Sequence, residues 1–244
     1  MIKLLILAFK VFKLGKFGGT ALTMIASLVI YAWIFGWGYA AGFIGLLFVH
    51  EMGHYLAARR RGLAVGAPTF IPFVGAWIEL KDTTLDAETE AFVALAGPFV
   101  GTLGAFACYL AAREYDSRLL LAVAYSGFFL NLFNLIPLSP LDGGRITGAV
   151  SPRLWFLGAP ILVAMLFVQP SPLLVMILIM AIPALQAAWR FDPEAPENAR
   201  YKAVTFETRF ELMAFYMLLV VTTALMAGAV HTDLAAHCNG LVCR

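Results

Sequence analysis

The stretch Phe48-Val49-His50-Glu51-Met52-Gly53-His54-Tyr55 places three ionisable side chains in a segment that otherwise has the composition of a lipid-buried helix. Nearly all the other residues between positions 40 and 58 are apolar or small. Residues four apart lie on one face of a helix, roughly 5–6 Å apart between Cβ atoms. His50 and His54 can therefore bind one metal ion. Glu51 points away from that face, so its carboxylate can hold a water molecule without being a ligand.

This H-E-x-x-H spacing is typical of zinc hydrolases, in which the histidines bind zinc and the glutamate is the general base. The alternative is a polar cluster that only helps the helix to pack. Ionisable groups at membrane depth cost at least a few kcal/mol each and usually mark function. A zinc site of this type also needs a third protein ligand, for which Asp142 is the candidate.

The composition predicts a membrane protein, because 61% of the 244 residues are hydrophobic and only 13% are charged. Soluble domains are about 25% charged. The net charge of +2 argues against nucleic acid as a partner. We expect an all-α polytopic fold with about six to seven spanning helices. The predicted spans are residues 20–37, 38–58, 91–112, 119–136, a helical hairpin over 154–189, and 210–230.

Basic residues predict the orientation of the chain. Residues 1–17 carry four lysines among apolar residues and are expected to form an amphipathic segment in the membrane interface. Arg59-Arg60-Arg61 follows the second span, and the positive-inside rule places that end in the cytoplasm. We therefore expect an integral protein of a prokaryotic inner or plasma membrane, with the active site toward its cytoplasmic half.

Residues 65–80 are apolar but are too short, and too interrupted by Pro68, Pro72 and Gly75, to form a spanning helix. They predict a short membrane-dipping β segment or re-entrant loop, because irregular backbone at that depth must be covered by protein or line a wet cavity. An exposed strand edge there could pair with an extended peptide. The alternative is a simple connector.

A second cluster of polar residues follows the fourth span. Pro137 and Pro140 end that helix, and Gly143-Gly144 allows a sharp turn that can direct the Asp142 carboxylate inward. A carboxylate at that depth is best explained by a cation, and Asn134 could donate a hydrogen bond to a substrate carbonyl. Alternatively, Asp142 caps the next helix and Asn134 joins two helices.

Two motifs together resemble the site-2 protease family of intramembrane zinc metalloproteases. They are His50-Glu51-Met52-Gly53-His54 and Asn134-Leu135-Ile136-Pro137-Leu138-Ser139-Pro140-Leu141-Asp142-Gly143-Gly144. The run from Phe70 to Ala76 resembles the membrane-dipping β segment of that family. Gly101 is a departure, since many members have asparagine there.

The resemblance implies one Zn²⁺ per chain, bound by His50, His54 and Asp142. It also implies that Glu51 is the general base and that Asn134, with the metal, stabilises the oxyanion. The implied substrate is a transmembrane protein or peptide within the lipid bilayer. The residues expected to contact that substrate are Phe70, Pro72, Phe73, Gly75 and Ala76.

On this basis residues 1–244 are predicted to form one membrane-embedded metalloprotease domain. Its catalytic core is expected at residues 20–146 and its additional C-terminal helices at 154–230. A catalytically silent metal-binding scaffold and an ion transporter are the rival functions, but a scaffold would be free to lose Glu51. Finally, Cys238 and Cys243 lie close together in a tail predicted to be outside the cytoplasm, where they could form a disulfide.

Overall fold

The structure, a computed structural model, describes the backbone of residues 16–66, 69–71, 75–77, 85–192 and 194–239. Regular structure in these ranges is almost entirely helical, with single 3₁₀ turns at Pro152–Leu154 and Pro196–Asn198. In chain order the helices and strands are α1 (Lys16–Phe35), α2 (Trp37–Arg60), β1 (Thr69–Ile71), β2 (Gly75–Trp77), α3 (Ala87–Glu114), α4 (Arg118–Asn134), α5 (Asp142–Val150), α6 (Trp155–Val168), α7 (Pro172–Trp189), α8 (Ala199–Lys202) and α9 (Phe206–Asn239).

Three helices among the described residues, α3, α7 and α9, are long and apolar enough to cross a membrane. The protein is therefore an integral membrane protein, as its composition predicts. Three further apolar helices are shorter, and the 17 residues of α4 are one example. A helix of that length extends about 26 Å, slightly less than the roughly 30 Å hydrocarbon core. The predicted number of six to seven spans stays a prediction.

Helices α2, α3 and α4 pack against one another in the centre of the fold. The short helix α5 lies against α3, and α9 covers both α4 and α5. Alanines fill much of the contact between α3, α4 and α9, with Phe128 of α4 fully buried among them. Small residues let membrane helices approach closely, because lipid supplies no hydrophobic force to drive them together. This packing brings α5 next to the helix that carries the histidines.

The two strands form an antiparallel hairpin in which Phe70 pairs with Ala76 and Ile71 with Gly75. Strand β1 lies beside α1, and β2 lies beside α2. Within the described residues this sheet has only two strands, so each strand has one edge without a strand partner. The depth of this segment in a bilayer stays a prediction.

Other predicted features lie outside the described residues. They include residues 1–15 of the predicted interfacial segment, and Cys243. The side chain of Cys238 is likewise not described, so the predicted disulfide stays a prediction.

Helix α9 is longer than the predicted span of residues 210–230, since it continues to Asn239. Contacts to neighbouring helices explain the extension. Tyr109 donates a hydrogen bond to Asp233, Arg113 forms an ion pair with the same carboxylate, and the rings of Tyr125 and His231 lie 5.6 Å apart. Tertiary contacts therefore extend the helix beyond the predicted span, through its polar end, and the end of the span itself stays a prediction.

Asp86 caps the first turn of α3, where its carboxylate accepts a hydrogen bond of 2.7 Å from the backbone N–H of Thr89. Partial burial acts to raise the pKa of Asp86, but the hydrogen bonds from Thr89 outweigh it and hold the pKa below its usual value. The cap therefore stabilises the fold above the ordinary carboxyl pKa of about 4, and this contribution is lost as the pH falls.

We expect Asp86→Ala to lower the free energy of unfolding by about 0.5–2 kcal/mol at pH 7. The midpoint of thermal unfolding in detergent measures the change. Asp86→Asn is the matched control, because asparagine also caps helices and carries no titrating charge. Equal stability of the alanine variant and the wild type at neutral pH would show that this cap contributes nothing.

Candidate metal centre

Helix α2 positions the two histidines of the H-E-x-x-H motif one turn apart. Their Nε2 atoms lie 3.1 Å from each other, and the side chains are buried, with 2% of His50 and 8% of His54 exposed. Because the helix is regular from Trp37 to Arg60, this convergence follows from the four-residue spacing alone. The prediction that both rings face one point agrees with this geometry.

Asp142 reaches the same point from a different helix. It is the first residue of α5, and its Oδ2 atom lies 3.2 Å from Nε2 of His50 and 3.2 Å from Nε2 of His54. The N-cap residue of α5 is Leu141, and the carboxylate of Asp142 faces the histidines. The alternative, in which Asp142 caps the helix, therefore does not apply. The structure thus brings together all three predicted metal ligands, which are buried.

The two glycines after Asp142 serve close packing rather than an unusual backbone conformation. Neither has a positive φ, so the left-handed backbone conformation that favours glycine is not used at these positions. A Cβ atom at Gly143 would lie 2.1 Å from the carbonyl oxygen of Leu135, and one at Gly144 would lie 2.1 Å from the backbone nitrogen of Ser139. Their absence of side chains lets α5 fold back onto the preceding loop, which places Asp142 beside α2.

The donor set fits a tetrahedral zinc ion. Zinc bonds to nitrogen and oxygen of about 2.0–2.2 Å give ligand-to-ligand distances of about 3.3–3.5 Å in a tetrahedron. The three distances here, 3.1, 3.2 and 3.2 Å, are close to that edge length. Two imidazoles and one carboxylate also leave one tetrahedral position open, as in catalytic zinc sites.

The hydrogen bonding of His54 supports the presence of a cation. Its Nδ1 atom lies 2.8 Å from the carbonyl oxygen of Val93. A carbonyl can only accept, so Nδ1 of the neutral ring carries the proton and Nε2 presents a lone pair. That lone pair lies 3.2 Å from a carboxylate oxygen of Asp142 in a buried site. Two such acceptors repel each other, so this contact requires either a cation between them or a proton on Nε2, and a metal ion bound by both groups satisfies it.

A chain of charges continues from Asp142 to the surface. Arg145 contacts the other carboxylate oxygen of Asp142 at 3.7 Å and Glu90 of α3 at 3.5 Å. Glu90 also pairs with Arg200, which lies in α8. Arg145 thus neutralises the side of the Asp142 carboxylate that faces away from the histidines.

Glu51 follows His50 on α2 and is buried, with 6% of the residue exposed. It lies next to the ligand cluster without belonging to it. This placement is the one that the motif predicts for a general base, and the catalytic role of Glu51 stays a prediction.

The two asparagines at the end of α4 lie in different places. The side chain of Asn134 is half-buried and donates a hydrogen bond of 3.1 Å to the carbonyl of Leu130 within its own helix. Its predicted role at the oxyanion stays a prediction. Asn131, which has no predicted role, is buried and contacts His50 directly at 2.8 Å. The sequence signal for Asn131 is weak: it is an amide one turn from Asn134 in an otherwise apolar helix.

The predicted substrate-binding residues fall in the β hairpin. Phe70, Gly75 and Ala76 belong to its strands, and β2 lies beside α2. Pro72 and Phe73 lie between the strands, outside the described residues. The substrate-binding role of this segment stays a prediction.

Comparison with known proteins gives consistent matches. Residues 38–117, which include the histidine motif, match the model of peptidase family M50. Rip3 of Mycobacterium tuberculosis, whose name describes a zinc metalloprotease, is 36% identical over 135 residues, which cover 50% of this chain and 32% of Rip3. A zinc metalloprotease of Methanocaldococcus jannaschii is 31% identical over 114 residues, which cover 43% of this chain and 33% of that protein.

The match thus spans about a third of the length of these two curated relatives. Among solved structures, the site-2 protease from Methanocaldococcus jannaschii aligns with a TM-score of 0.44 and 20% identity, covering 69% of this chain and 87% of that one. The chain is thus similar to peptidase family M50 over residues 38–117, which include the histidine motif, and to curated proteins that are named zinc metalloproteases.

Proposed function

We propose that this protein is an intramembrane zinc metalloprotease that hydrolyses peptide bonds within or near the transmembrane segments of other proteins. The observation that carries the proposal is the convergence of His50 Nε2, His54 Nε2 and Asp142 Oδ2 within 3.2 Å of one another in a buried site. We propose one zinc ion per chain, held by these three side chains. When bound, zinc polarises carbonyl groups and lowers the pKa of water toward about 7.

Glu51 moves the proton in this mechanism. Its carboxylate takes a proton from the attacking water and then gives it to the nitrogen of the departing amine. Burial of Glu51 supports this role, because a carboxylate shielded from bulk water exchanges its proton with the substrate. A catalytically silent scaffold would be free to lose Glu51, and an ion transporter has no reason for the H-E-x-x-H spacing.

Asn134 is proposed to donate a hydrogen bond to the oxyanion that forms on the attacked carbonyl. The side-chain amide has two N–H groups, and one of them is donated to Leu130. The second can be donated to a substrate. A donor placed at the developing charge typically contributes 10²–10³-fold to turnover.

The substrate must be extended where it is cut, because the hydrogen bonds of a helix shield its peptide bonds. We propose that the β hairpin binds the unwound segment by strand addition, with Phe70, Pro72, Phe73, Gly75 and Ala76 along the contact. Two observations support this: each strand has an edge without a strand partner in the described part of the sheet, and β2 lies beside α2. Such pairing supplies backbone partners in a medium that offers few.

The membrane side follows from charge. Arg59, Arg60 and Arg61 lie at the end of α2, one to two turns beyond His54. By the positive-inside rule, we propose that the metal centre lies in the cytoplasmic half of a prokaryotic inner or plasma membrane.

The experiment combines metal analysis with cleavage. The purified chain in lipid nanodiscs is assayed for zinc and incubated with a model transmembrane peptide, and the products are identified by mass spectrometry. We expect one zinc per chain and a cut inside the transmembrane segment that a zinc chelator prevents. Bound zinc without cleavage of a panel of such peptides would favour a scaffold, and absence of zinc would refute the site.

Gly75→Pro tests the proposed substrate contact. Proline removes a backbone donor and distorts the strand, so we expect cleavage of a transmembrane peptide to slow by about tenfold, the cost of roughly one backbone hydrogen bond. Zinc content and thermal stability should stay nearly unchanged. Gly75→Ala is the matched control, because alanine keeps the backbone N–H.

Helix-destabilising residues in the substrate provide a second readout, and they should speed cleavage because they reduce the cost of unwinding. Normal cleavage by Gly75→Pro would mean that the hairpin is only a connector.

A further inference from the structure

The side chain of Asn131 is almost completely buried, with 1% of the residue exposed, and both ends of its amide are engaged. Nδ2 donates a hydrogen bond of 2.7 Å to the carbonyl oxygen of Gly127, one turn back in α4. Oδ1 lies 2.8 Å from Nδ1 of His50. The nitrogen of an amide can only donate and its oxygen can only accept. The bond to Gly127 therefore fixes which amide atom faces His50.

This arrangement determines the proton position on the His50 ring. Because the atom facing it is an acceptor, Nδ1 of the neutral imidazole must carry the proton, and Nε2 presents its lone pair. Nε2 is the atom that lies 3.2 Å from Asp142 and 3.1 Å from Nε2 of His54. We infer that Asn131 is a positioning residue that holds His50 in the tautomer and orientation required to bind zinc through Nε2.

Gly101 of α3 provides the space for this amide. A Cβ atom at position 101 would lie 2.3 Å from Oδ1 and 2.9 Å from Nδ2 of Asn131. Those distances are too short for two non-bonded atoms, so any side chain at Gly101 displaces the amide. Three helices thus cooperate at one contact: α2 carries the histidine, α4 carries its partner, and α3 leaves room for that partner.

The two histidines differ in how they are held. His54 is oriented by the backbone carbonyl of Val93, which side-chain substitution leaves in place. His50 is oriented by a side chain. Substitution of Asn131 therefore removes the contact that orients one zinc ligand while the ligand itself, His50, is kept. Loss of such an outer contact typically weakens metal binding 10–100-fold.

The test measures zinc affinity by competition with a chromophoric chelator, and it rests on the proposed zinc site. We expect Asn131→Leu, which has the same branching pattern and no acceptor, to weaken zinc binding 10–100-fold. Asn131→Asp keeps an acceptor toward Nδ1 and should retain most of the wild-type affinity. A role limited to packing would affect both variants alike, and the unfolding midpoint of each metal-free variant reports that packing contribution separately.

A second pair of variants leaves Asn131 unchanged. Gly101→Ala should weaken zinc binding because its methyl group displaces the amide. Gly104→Ala, one turn further along α3, is the control: its Cβ atom would meet the side chains of Leu46 and Val49 at 3.1 Å and should not affect His50.

Two outcomes would overturn the inference: wild-type zinc affinity in Asn131→Leu, or an Asn131→Asp variant as weak as Asn131→Leu. If Asn131→Leu does not fold, equal affinities of Gly101→Ala and Gly104→Ala would overturn it. Failure of the wild-type chain to bind zinc would instead refute the proposed function, so the two failures are distinguishable.

Discussion

Glu51→Gln is expected to lower turnover by at least about two orders of magnitude while zinc stays bound. Glutamine has nearly the same shape as glutamate but cannot accept the proton from water, and general acid–base catalysis contributes typically 10²–10⁴-fold. A hundredfold loss corresponds to about 2.7 kcal/mol of transition-state stabilisation. Because Glu51 lies outside the ligand cluster His50, His54 and Asp142, its replacement should leave the zinc stoichiometry unchanged. Single-turnover cleavage of a transmembrane peptide measures the effect.

A matched control for this substitution is Glu88→Gln. Glu88 lies near the start of α3 and forms a partly exposed ion pair of 3.7 Å with Arg61. Exposed pairs of this type contribute little, so Glu88→Gln should cleave at the wild-type rate. Undiminished turnover by Glu51→Gln would contradict the mechanism, because the amide of glutamine cannot accept the proton from the attacking water.

Asp142→Ala should lose zinc as well as activity. Two imidazoles alone hold zinc far less tightly than the three-ligand set, so the affinity should fall by more than the roughly 10–100-fold that an outer contact contributes. Cleavage should fall below detection at zinc concentrations that saturate the wild type. The measurement is zinc bound per chain over a range of buffered free zinc concentrations.

Glu90→Gln is the control for Asp142→Ala, because Glu90 is a nearby carboxylate that pairs with Arg145 and Arg200 rather than with the histidines. We expect Glu90→Gln to keep one zinc per chain. Tight stoichiometric zinc in Asp142→Ala would show that Asp142 is not the third ligand and that another group completes the site.

The ligands could be predicted because their geometry is mostly local. The positions of His50 and His54 follow from helical periodicity, and Glu51 follows from its place between them. Asp142 is 88 residues after His54, and a carboxylate in an apolar chain is conspicuous enough to be noticed at that distance. The sequence predicts that Gly143 and Gly144 allow a sharp turn, whereas in the structure they avoid a collision of a Cβ atom with the backbone of residues 135–139. That collision depends on how the loop folds back, which the local sequence does not reveal.

The contacts around the ligands could not be predicted in the same way. Asn131 and the carbonyl of Val93 reach the histidines only because α3 and α4 pack on α2 in one particular register. Asn134 belongs to the motif that resembles the site-2 protease family, whereas nothing in the local sequence marks Asn131. Gly101 is similar: the glycine where many members of the family have asparagine is visible in the sequence, but the amide that occupies the space belongs to another helix.

The end of α9 illustrates the same limit for the fold. Polarity after position 230 predicts the end of the apolar span, and no local signal in the sequence indicates that the helix continues beyond it. Contacts of Asp233 with Tyr109 and Arg113 bring the last turns onto α3, and these contacts are 120 or more residues apart in sequence. Local composition defines where apolar helices occur, whereas their ends and their neighbours are set by tertiary packing.

We propose that hydrolysis requires one zinc ion, held by His50, His54 and Asp142. The most direct measurement strips the purified chain with a chelator, adds zinc back in known amounts and follows cleavage of a transmembrane peptide. We expect no cleavage without zinc and a rise in cleavage that saturates at one equivalent of zinc per chain. Cleavage that persists in the fully stripped protein, or that does not return when zinc is added to folded protein, would contradict it.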